Sequence, residues 1–221
     1  MTRPGAYSPR LWLELRRRIR FMWVTKMLLT AGGIASFLWL YFVVMTNPLG
    51  TPRAVYMTAL DHWIPASELM LVPYGSLWVY LSLSLALIGT RAEVRAFVTA
   101  AGAMSMVGLI VFWTLPTFAP IAFSRISDYP WLAFLRRTDF LGNALPSLHV
   151  AFALLSGCLI RQQMRLMHVP SWWHAINIIW FLSICYSTLA TRQHAILDVV
   201  GGLIFGRVFW NVYLFHFRKA T

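Results

Sequence analysis

Apolar residues lie along the chain in long runs, and short polar segments separate one run from the next. Six of these runs approach the roughly 20 apolar residues that a helix needs to cross a bilayer. They cover residues 22–45, 69–88, 96–115, 147–164, 173–191 and 195–215. No repeat or linker divides them. The pattern therefore predicts one all-α domain over residues 1–221, folded as a polytopic integral membrane six-helix bundle.

The composition agrees with a membrane protein. Of the 221 residues, 59% are hydrophobic and only 12% are charged. A soluble domain of this length cannot bury so much apolar surface. The two cysteines, Cys158 and Cys185, both fall inside predicted spans. Their spacing indicates neither a disulfide nor a metal site, and we interpret them as packing residues.

The net charge of +12 would by itself suit nucleic acid binding, but the basic residues are distributed unevenly between alternate loops. One side of the membrane receives most of them: Arg3, Arg10, Arg16, Arg17, Arg18, Arg20, Lys26, Arg91, Arg95, Arg161, Arg165, Arg218 and Lys219. The other side receives Arg53, Arg125, Arg136, Arg137 and Arg192. The positive-inside rule then places both termini in the cytoplasm, and we expect no nucleic acid partner. The segment LRRRIR, residues 15–20, is interpreted as a topology determinant that attracts lipid headgroups.

Polar side chains within or beside membrane spans are costly, so they are the first candidates for function. They are Ser147 and His149 in LPSLH, Arg192, His194 and Asp198 in TRQHAILD, and those of the long segment 116–143. With six spans, all three groups lie on the non-cytoplasmic side. They precede the fourth and sixth predicted helices or connect the third to the fourth, so we expect them to converge.

The spacing of these residues suggests chemical roles. His194 and Asp198 are four residues apart, which places them on one face of a helix. The carboxylate can fix the imidazole tautomer and leave the other ring nitrogen as a nucleophile. Pro146 and Ser147 suit the first turn of a helix, whose N-terminus binds phosphate. His149 can give a proton to a leaving oxygen. Together they suggest phosphoryl transfer through a phosphohistidine.

Three other interpretations compete with this one. Two histidines and a carboxylate can bind a metal, although no further ligand is evident. Ser147 can act as a nucleophile with His194, although the G-x-S-x-G elbow is missing. A small-solute or proton-coupled transporter can also use His and Asp. A transporter, however, predicts ionisable residues deep in the bundle and paired helix breaks, whereas here the polar residues gather at one interface.

Two short motifs make the chain similar to a known family. Pro146-Ser147-Leu148-His149 resembles its P-S-G-H motif. Its S-R-x5-H-x3-D motif corresponds to Ser187, Thr188, His194 and Asp198. The chain thus resembles the type 2 phosphatidic acid phosphatase superfamily over residues 96–215, taken as the catalytic core. The resemblance implies His194 as nucleophile, Asp198 as its partner, His149 as general acid, a six-helix bundle, and no metal or other cofactor.

The chain departs from that pattern at the positions that hold phosphate. Leu148 replaces a glycine, Thr188 replaces an arginine, and the K-x6-R-P motif is matched only by LPTFAP. These features resemble the branch of inositol phosphorylceramide synthases, although Ala195 stands where that branch commonly has tyrosine. The phosphate is then expected on Ser147, Leu148 and a replacement arginine. The candidates, with Arg192 ranked first, are Arg192, Arg125, Arg136 and Arg137.

The predicted activity is removal of phosphate from a lipid phosphate at the non-cytoplasmic face of the membrane. The main alternative is a phosphotransferase that moves a phosphoryl or phospho-head group to an alcohol, sugar or lipid acceptor. Phosphatidate-type, polyprenyl, lipid A and sphingolipid phosphates all remain open as substrates. We expect a bacterial inner (plasma) membrane protein with its site facing outward. Substrate lipids and membrane lipids are the expected partners, and the oligomeric state is open.

Overall fold

The computed structural model describes residues 9–123, 128–138 and 141–220, and its helical content confirms the predicted fold class. The helices are α1 Pro9–Arg20, α2 Trp23–Thr46, α3 Ala59–Trp63, α4 Leu71–Gly75, α5 Leu77–Ala86, α6 Arg91–Thr114, α7 Pro130–Thr138, α8 Leu148–Leu166, α9 Ser171–Ala190 and α10 Ile196–Ala220. Short 3-10 helices cover Glu68–Met70 and Pro120–Phe123, and the strands are β1 Arg53–Ala54 and β2 Thr117–Phe118.

Five helices in the described part of the chain are long and apolar enough to cross a membrane. They are Trp23–Thr46, Glu68–Ala86, Arg91–Thr114, Ser171–Ala190 and Ile196–Lys219. The predicted fourth span forms α8, which is not among the five. Its second half carries Arg161 and Arg165, and α5, α6, α9 and α10 pack around it. An enclosed helix does not need a lipid-facing apolar surface. The count of six spans and the cytoplasmic termini therefore stay predictions.

The helix α8 connects two ends of the bundle. At one end the Ser147 N–H donates to the Asp198 carbonyl, at 3.0 Å, which joins the starts of α8 and α10. We call this the His194 end. At the other end Gln163 lies beside Glu93 at the start of α6. Lys26 near the start of α2 reaches the end of α5 there, and we call this the Lys26 end. Ser147 and Asp198, two of the candidate site residues, thus lie together at one end of the bundle.

A buried polar network at the Lys26 end holds the amphipathic helix α1 against the bundle. The Arg18 guanidinium donates to Glu14, 2.7 Å away, and to the Gln163 side-chain oxygen. The Gln163 amide in turn donates to a Glu93 carboxylate oxygen at 2.6 Å. Arg18 is buried, so it does not face lipid headgroups as the sequence analysis expected for the LRRRIR segment.

Lys26 is also buried rather than exposed to headgroups. Its ammonium group donates to the Arg18 carbonyl at 2.9 Å, to the Ala86 carbonyl at 2.9 Å and to the Ile88 carbonyl at 2.6 Å. Carbonyls at a helix C-terminus lack intrahelical partners and attract cations. This lysine therefore satisfies the ends of α1 and α5 together.

Glycines on α10 allow this helix to approach α8 closely. A Cβ at Gly202 would lie 2.5 Å from the Ser147 carbonyl oxygen, and a Cβ at Gly206 would lie 2.8 Å from the Ala151 carbonyl oxygen. Real Cβ atoms do not come so near to backbone oxygens. The close approach is what brings the start of α10 next to the start of α8.

The segments outside the long helices at the His194 end are tied together by strand pairing. The strands β1 and β2 are parallel, with Arg53 opposite Thr117. Thr117 also binds the chain that leads into α8: its carbonyl accepts from the Ala144 N–H at 3.0 Å, and its hydroxyl accepts from the Leu145 N–H at 2.9 Å. These bonds fix the direction in which the chain enters α8.

Candidate active site

The start of α8 is a capped helix N-terminus. Ser147 is fully buried, and its hydroxyl accepts from the Val150 N–H at 3.3 Å, so it is the N-cap. Pro146 therefore precedes the cap. The prediction that it lies in the first turn of the helix was wrong. The first turn of a helix leaves N–H groups without intrahelical partners and presents the positive end of the dipole. Phosphate binding at this helix start, which we predicted from the sequence, stays a prediction.

Leu148, which stands where the family motif has glycine, is the first residue of α8. Its side chain packs against α6, where a Cβ at Gly108 would lie only 2.5 Å from the Leu148 Cδ2. A glycine on α6 thus makes room for the larger side chain. The backbone N–H of position 148 belongs to the first turn with either residue, so the substitution does not remove that donor.

The segment that carries His194 precedes α10 and is not part of it, contrary to the expectation that His194 and Asp198 share a helix face. The Gln193 and His194 N–H groups both donate to the Thr188 carbonyl, each at 3.1 Å. Asp198 lies in the first turn of α10, and its Oδ2 accepts from the Ala195 N–H at 2.8 Å. That bond is one half of a capping box, and it holds the carboxylate beside the imidazole.

His194 and Asp198 form a buried pair. The distance from His194 Nδ1 to Asp198 Oδ2 is 3.6 Å, somewhat longer than an ordinary hydrogen bond. His194 is 7% exposed and Asp198 is completely buried. Catalytic hydrogen bonds are often long without substrate and shorten when it binds. The structure therefore brings the two residues together, and their catalytic roles remain proposals.

His149 is the second residue of α8, and its ring stacks on the ring of Tyr74. The ring centroids are 4.1 Å apart and the planes differ by 13°. The His149 imidazole is within electrostatic range of His194. Tyr74 thus fixes the orientation of the proposed acid. It lies about 75 residues upstream of His149 in the sequence, and no local pattern pairs them.

Among the candidate arginines that the structure describes, Arg192 is the most deeply buried, at 9% exposure. Its backbone has a positive φ of 61°, and one guanidinium nitrogen lies 3.5 Å from the Asp61 carbonyl oxygen. Burial lowers the pKa of this guanidinium from its usual value, although arginine stays protonated at neutral pH. On α7, Arg136 is half-buried and Arg137 is exposed. Arg125 lies outside the described residues.

Buried polar atoms without partners are concentrated at this site. The structure describes six buried side-chain nitrogen or oxygen atoms that make no hydrogen bond, and five of them belong to the site residues. They are His149 Nε2, Arg192 Nε, Gln193 Oε1, His194 Nδ1 and Asp198 Oδ1. Buried polar groups nearly always have partners in a folded protein. Such a cluster is typical of a site that binds a polar ligand.

Asp61, Tyr74 and Gln193 were not predicted from the sequence. Asp61 had a readable signal, because Thr58-x-x-Asp61 is a capping-box pattern, and the structure forms that box. Gln193 lies next to His194 and its amide is buried. Within the described ranges, no group of three or more His, Cys, Asp and Glu side chains can hold a metal ion.

One family of known proteins matches most of the chain. The model described as the PAP2 superfamily matches residues 49–211, which includes both motifs and most of the chain. The match extends upstream of the predicted core at 96–215 and so includes α3, α4 and α5. Neither the curated proteins nor the solved structures contain a significant match.

Proposed function

The chain belongs to the PAP2 superfamily, and we propose that it is a membrane lipid phosphatase. It would remove the phosphate of a lipid phosphate monoester at the non-cytoplasmic face of the membrane. One observation carries this proposal. The buried His194–Asp198 pair lies next to the N-terminus of α8, because the Ser147 N–H donates to the Asp198 carbonyl.

The first chemical step is an attack by His194 on phosphorus. Nδ1 faces Asp198, so Nε2 is the attacking atom. A nitrogen–phosphorus bond forms while the bond from phosphorus to the lipid oxygen breaks. His149 gives the leaving oxygen its proton. The Asp198 carboxylate stabilises the positive charge that develops on the His194 ring.

The second step returns the enzyme to its starting state. A water molecule attacks phosphorus and gives a proton to His149, which is now the base. The nitrogen–phosphorus bond breaks, inorganic phosphate leaves, and His194 is neutral again. The groups that these two steps need all lie at the His194 end, and neither step changes an oxidation state.

The phosphate itself needs positive charge. A phosphate monoester carries about 1.5 to 2 negative charges near neutral pH, whereas a helix N-terminus offers only about half a positive charge. The buried guanidinium of Arg192, with its unpartnered Nε, is the best-placed described complement. In this proposal Arg192 takes the role of the arginine in the family motif, whose position is occupied here by Thr188. The Thr188 hydroxyl bonds back to the Cys185 carbonyl at 2.8 Å.

A second candidate is a phosphotransferase, in which an alcohol acceptor takes the place of water. The observation that favours it is the low exposure of His194, because a covalent intermediate shielded from water lives long enough to meet another acceptor. The departures at positions 148 and 188 resemble the transferase branch as well. Both candidates share the phosphohistidine and differ only in the second step.

The test uses purified protein with a panel of lipid phosphates, and it compares release of free phosphate with formation of new phospholipids. His194→Ala should abolish both products. His149→Ala should lower turnover of lipid substrates by about 10²- to 10⁴-fold. With an aryl phosphate, whose leaving group needs no proton, it should still form the phosphohistidine and accumulate it.

The matched control is His168→Asn, since His168 is exposed and lies beyond α8, far from the site. Asparagine tolerates the positive φ of 54° at that position, so activity should be unchanged. Substantial turnover by His194→Ala would exclude the mechanism. Activity that requires an added divalent metal and is lost to chelators would favour the metal interpretation.

A further inference from the structure

The short helix α3 carries a buried carboxylate that belongs to neither motif. Asp61 is 3% exposed and lies between α2 and α4 in the sequence, more than 130 residues before the nucleophile. A buried carboxylate is costly unless it is paired or fully hydrogen-bonded. The groups that donate hydrogen bonds to Asp61 therefore indicate its role.

One oxygen of Asp61 fixes the carboxylate within its own turn. Oδ2 accepts from the Thr58 N–H at 2.7 Å and from the Thr58 hydroxyl at 2.7 Å. The side chain is thereby locked in a single orientation. The other oxygen, Oδ1, is left to accept from the Ile196 N–H at 2.8 Å. Ile196 is the first residue of α10 and comes two residues after His194.

This contact completes a set of bonds around the nucleophile. The Gln193 and His194 N–H groups donate to Thr188 on α9. The Ala195 N–H donates to Asp198 on α10. Of these three acceptor residues (Thr188, Asp198 and Asp61), Asp61 is the one that comes from outside α9 and α10. It therefore ties the segment to a separate part of the fold.

The same turn of α3 also meets the other side of the segment. The Arg192 guanidinium lies 3.5 Å from the Asp61 carbonyl oxygen, at the outer limit of hydrogen-bond distance, and the charges of the two side chains attract each other. Asp61 thus contacts the chain both before and after His194. Movement of α3 would displace the imidazole and the guanidinium together.

We propose that Asp61 is a positioning residue for phosphoryl transfer: it anchors the segment 192–196, so that the His194 imidazole and the Arg192 guanidinium meet the same phosphate. This role rests on the proposed function. The competing role is purely structural, in which Asp61 only caps α10 and supports stability. The two roles differ in kcat, because a displaced nucleophile slows chemistry, whereas a less stable enzyme that stays folded reacts at the normal rate.

The experiment measures kcat, KM and Tm for Asp61→Ala, Asp61→Asn and Ile196→Pro beside wild type and His194→Ala. Asp61→Asn keeps an acceptor for the Ile196 N–H. Ile196→Pro removes the donor without touching Asp61, and proline is well tolerated at the first position of a helix. The matched control is Glu68→Gln, because the Glu68 carboxylate at the same end accepts from the Trp131 N–H at 2.7 Å and so caps α7 instead.

Asp61→Ala and Ile196→Pro should each lower kcat by about 10- to 100-fold with little change in KM, since small displacements of a reacting group cost factors of this size. Asp61→Asn should recover part of the loss, and Glu68→Gln should keep wild-type kcat. Asp61→Ala with normal kcat and only a lower Tm overturns the positioning role. If Asp61→Ala does not fold, normal kcat in both Asp61→Asn and Ile196→Pro overturns it equally.

The outcomes also separate this role from the proposed function. An inactive wild type, or an active His194→Ala, removes the proposed function and the positioning role with it. Activity that depends on His194 but not on Asp61 or the Ile196 N–H removes the positioning role alone. An equal loss of kcat in Glu68→Gln would show that any carboxylate at this end has the same effect, which also contradicts the role.

Discussion

At the scale of single residues, Arg192 combines burial with an unusual backbone. A non-glycine residue at a φ of 61° is uncommon, and such conformations concentrate at functional sites. The Arg192 N–H donates to the Leu189 carbonyl at 3.0 Å, so the turn that ends α9 is well defined. This turn ends α9 and leads the chain directly to His194, while the guanidinium lies near the Asp61 carbonyl oxygen.

We expect Arg192→Asn to lower kcat/KM by about 10²-fold, the cost of removing one donor that acts in the transition state. Asparagine accepts the left-handed backbone, so the loss reports the missing charge and not backbone strain. Arg192→Lys should recover only part of the activity, because lysine lacks the planar fork of donors. Steady-state kinetics on the preferred lipid phosphate provide the measurement.

Arg137→Ala is the comparison variant, since Arg137 is an exposed residue on α7. It should stay near wild-type kcat/KM. If Arg192→Asn is near normal while Arg136→Ala or Arg137→Ala is impaired, then the phosphate is held by the segment between α6 and α8, and the ranking of the arginines is wrong.

At the scale of elements, the contact between α8 and α10 sets how far His149 lies from His194 and Asp198. We expect Gly202→Ala to reduce kcat by 10-fold or more, because its Cβ would meet the Ser147 carbonyl oxygen at 2.5 Å and displacements of this kind cost such factors. Overpacking also costs about 1–3 kcal/mol of stability. Activity and Tm of the purified variant test this expectation.

Gly102→Ala is the matched control, because a Cβ at Gly102 on α6 would meet nothing within 4 Å. Replacing that glycine should leave kcat unchanged and should raise helix stability by up to about 1 kcal/mol. Equal effects of the two substitutions would show that loss of glycine flexibility matters, and that close packing of α10 on α8 does not.

Much of the element structure was readable from hydropathy. Five of the six apolar runs became helices that can span a membrane, because lipid-facing helices must be apolar on all sides that meet lipid. The remaining run, residues 147–164, became α8, where Arg161 and Arg165 are tolerated at one end. Hydropathy cannot rank an enclosed helix, because its partners are other helices and its position is a tertiary property.

The site was readable where its residues are close in sequence and was missed where they are distant. His194 and Asp198 were paired by their four-residue spacing, even though His194 turned out to precede α10. Tyr74 and Asp61 reach the site from separate segments. Stacking and cross-chain hydrogen bonds leave no periodic signal in one sequence, so only the folded arrangement shows them.

At the scale of the whole molecule, the unequal number of basic residues at the two ends predicts the orientation of the protein in the membrane. We expect the His194 end to face outward, so a membrane-impermeant thiol reagent applied to intact cells should label Tyr56→Cys and not Arg91→Cys. Tyr56 is 76% exposed and lies beside α3. Arg91 is exposed at the start of α6, at the Lys26 end. Labelling of Arg91→Cys alone would reverse the orientation.

Permeabilised cells provide the control for that measurement, because both variants should then react. The wild-type protein gives the background, since Cys158 is half-buried and Cys185 is buried. Equal labelling of both variants in intact cells would contradict the assignment of the two ends to opposite sides of the membrane.

The bond from the Ser147 N–H to the Asp198 carbonyl is made entirely by main-chain atoms. No side-chain replacement other than proline at position 147 deletes it, so an alanine scan will not detect it. The relative position of His149 and His194 therefore depends little on which side chains stand at positions 147 and 198. Residues such as Leu148 and Thr188 can then differ from the family pattern while the proposed reacting groups keep their relative positions.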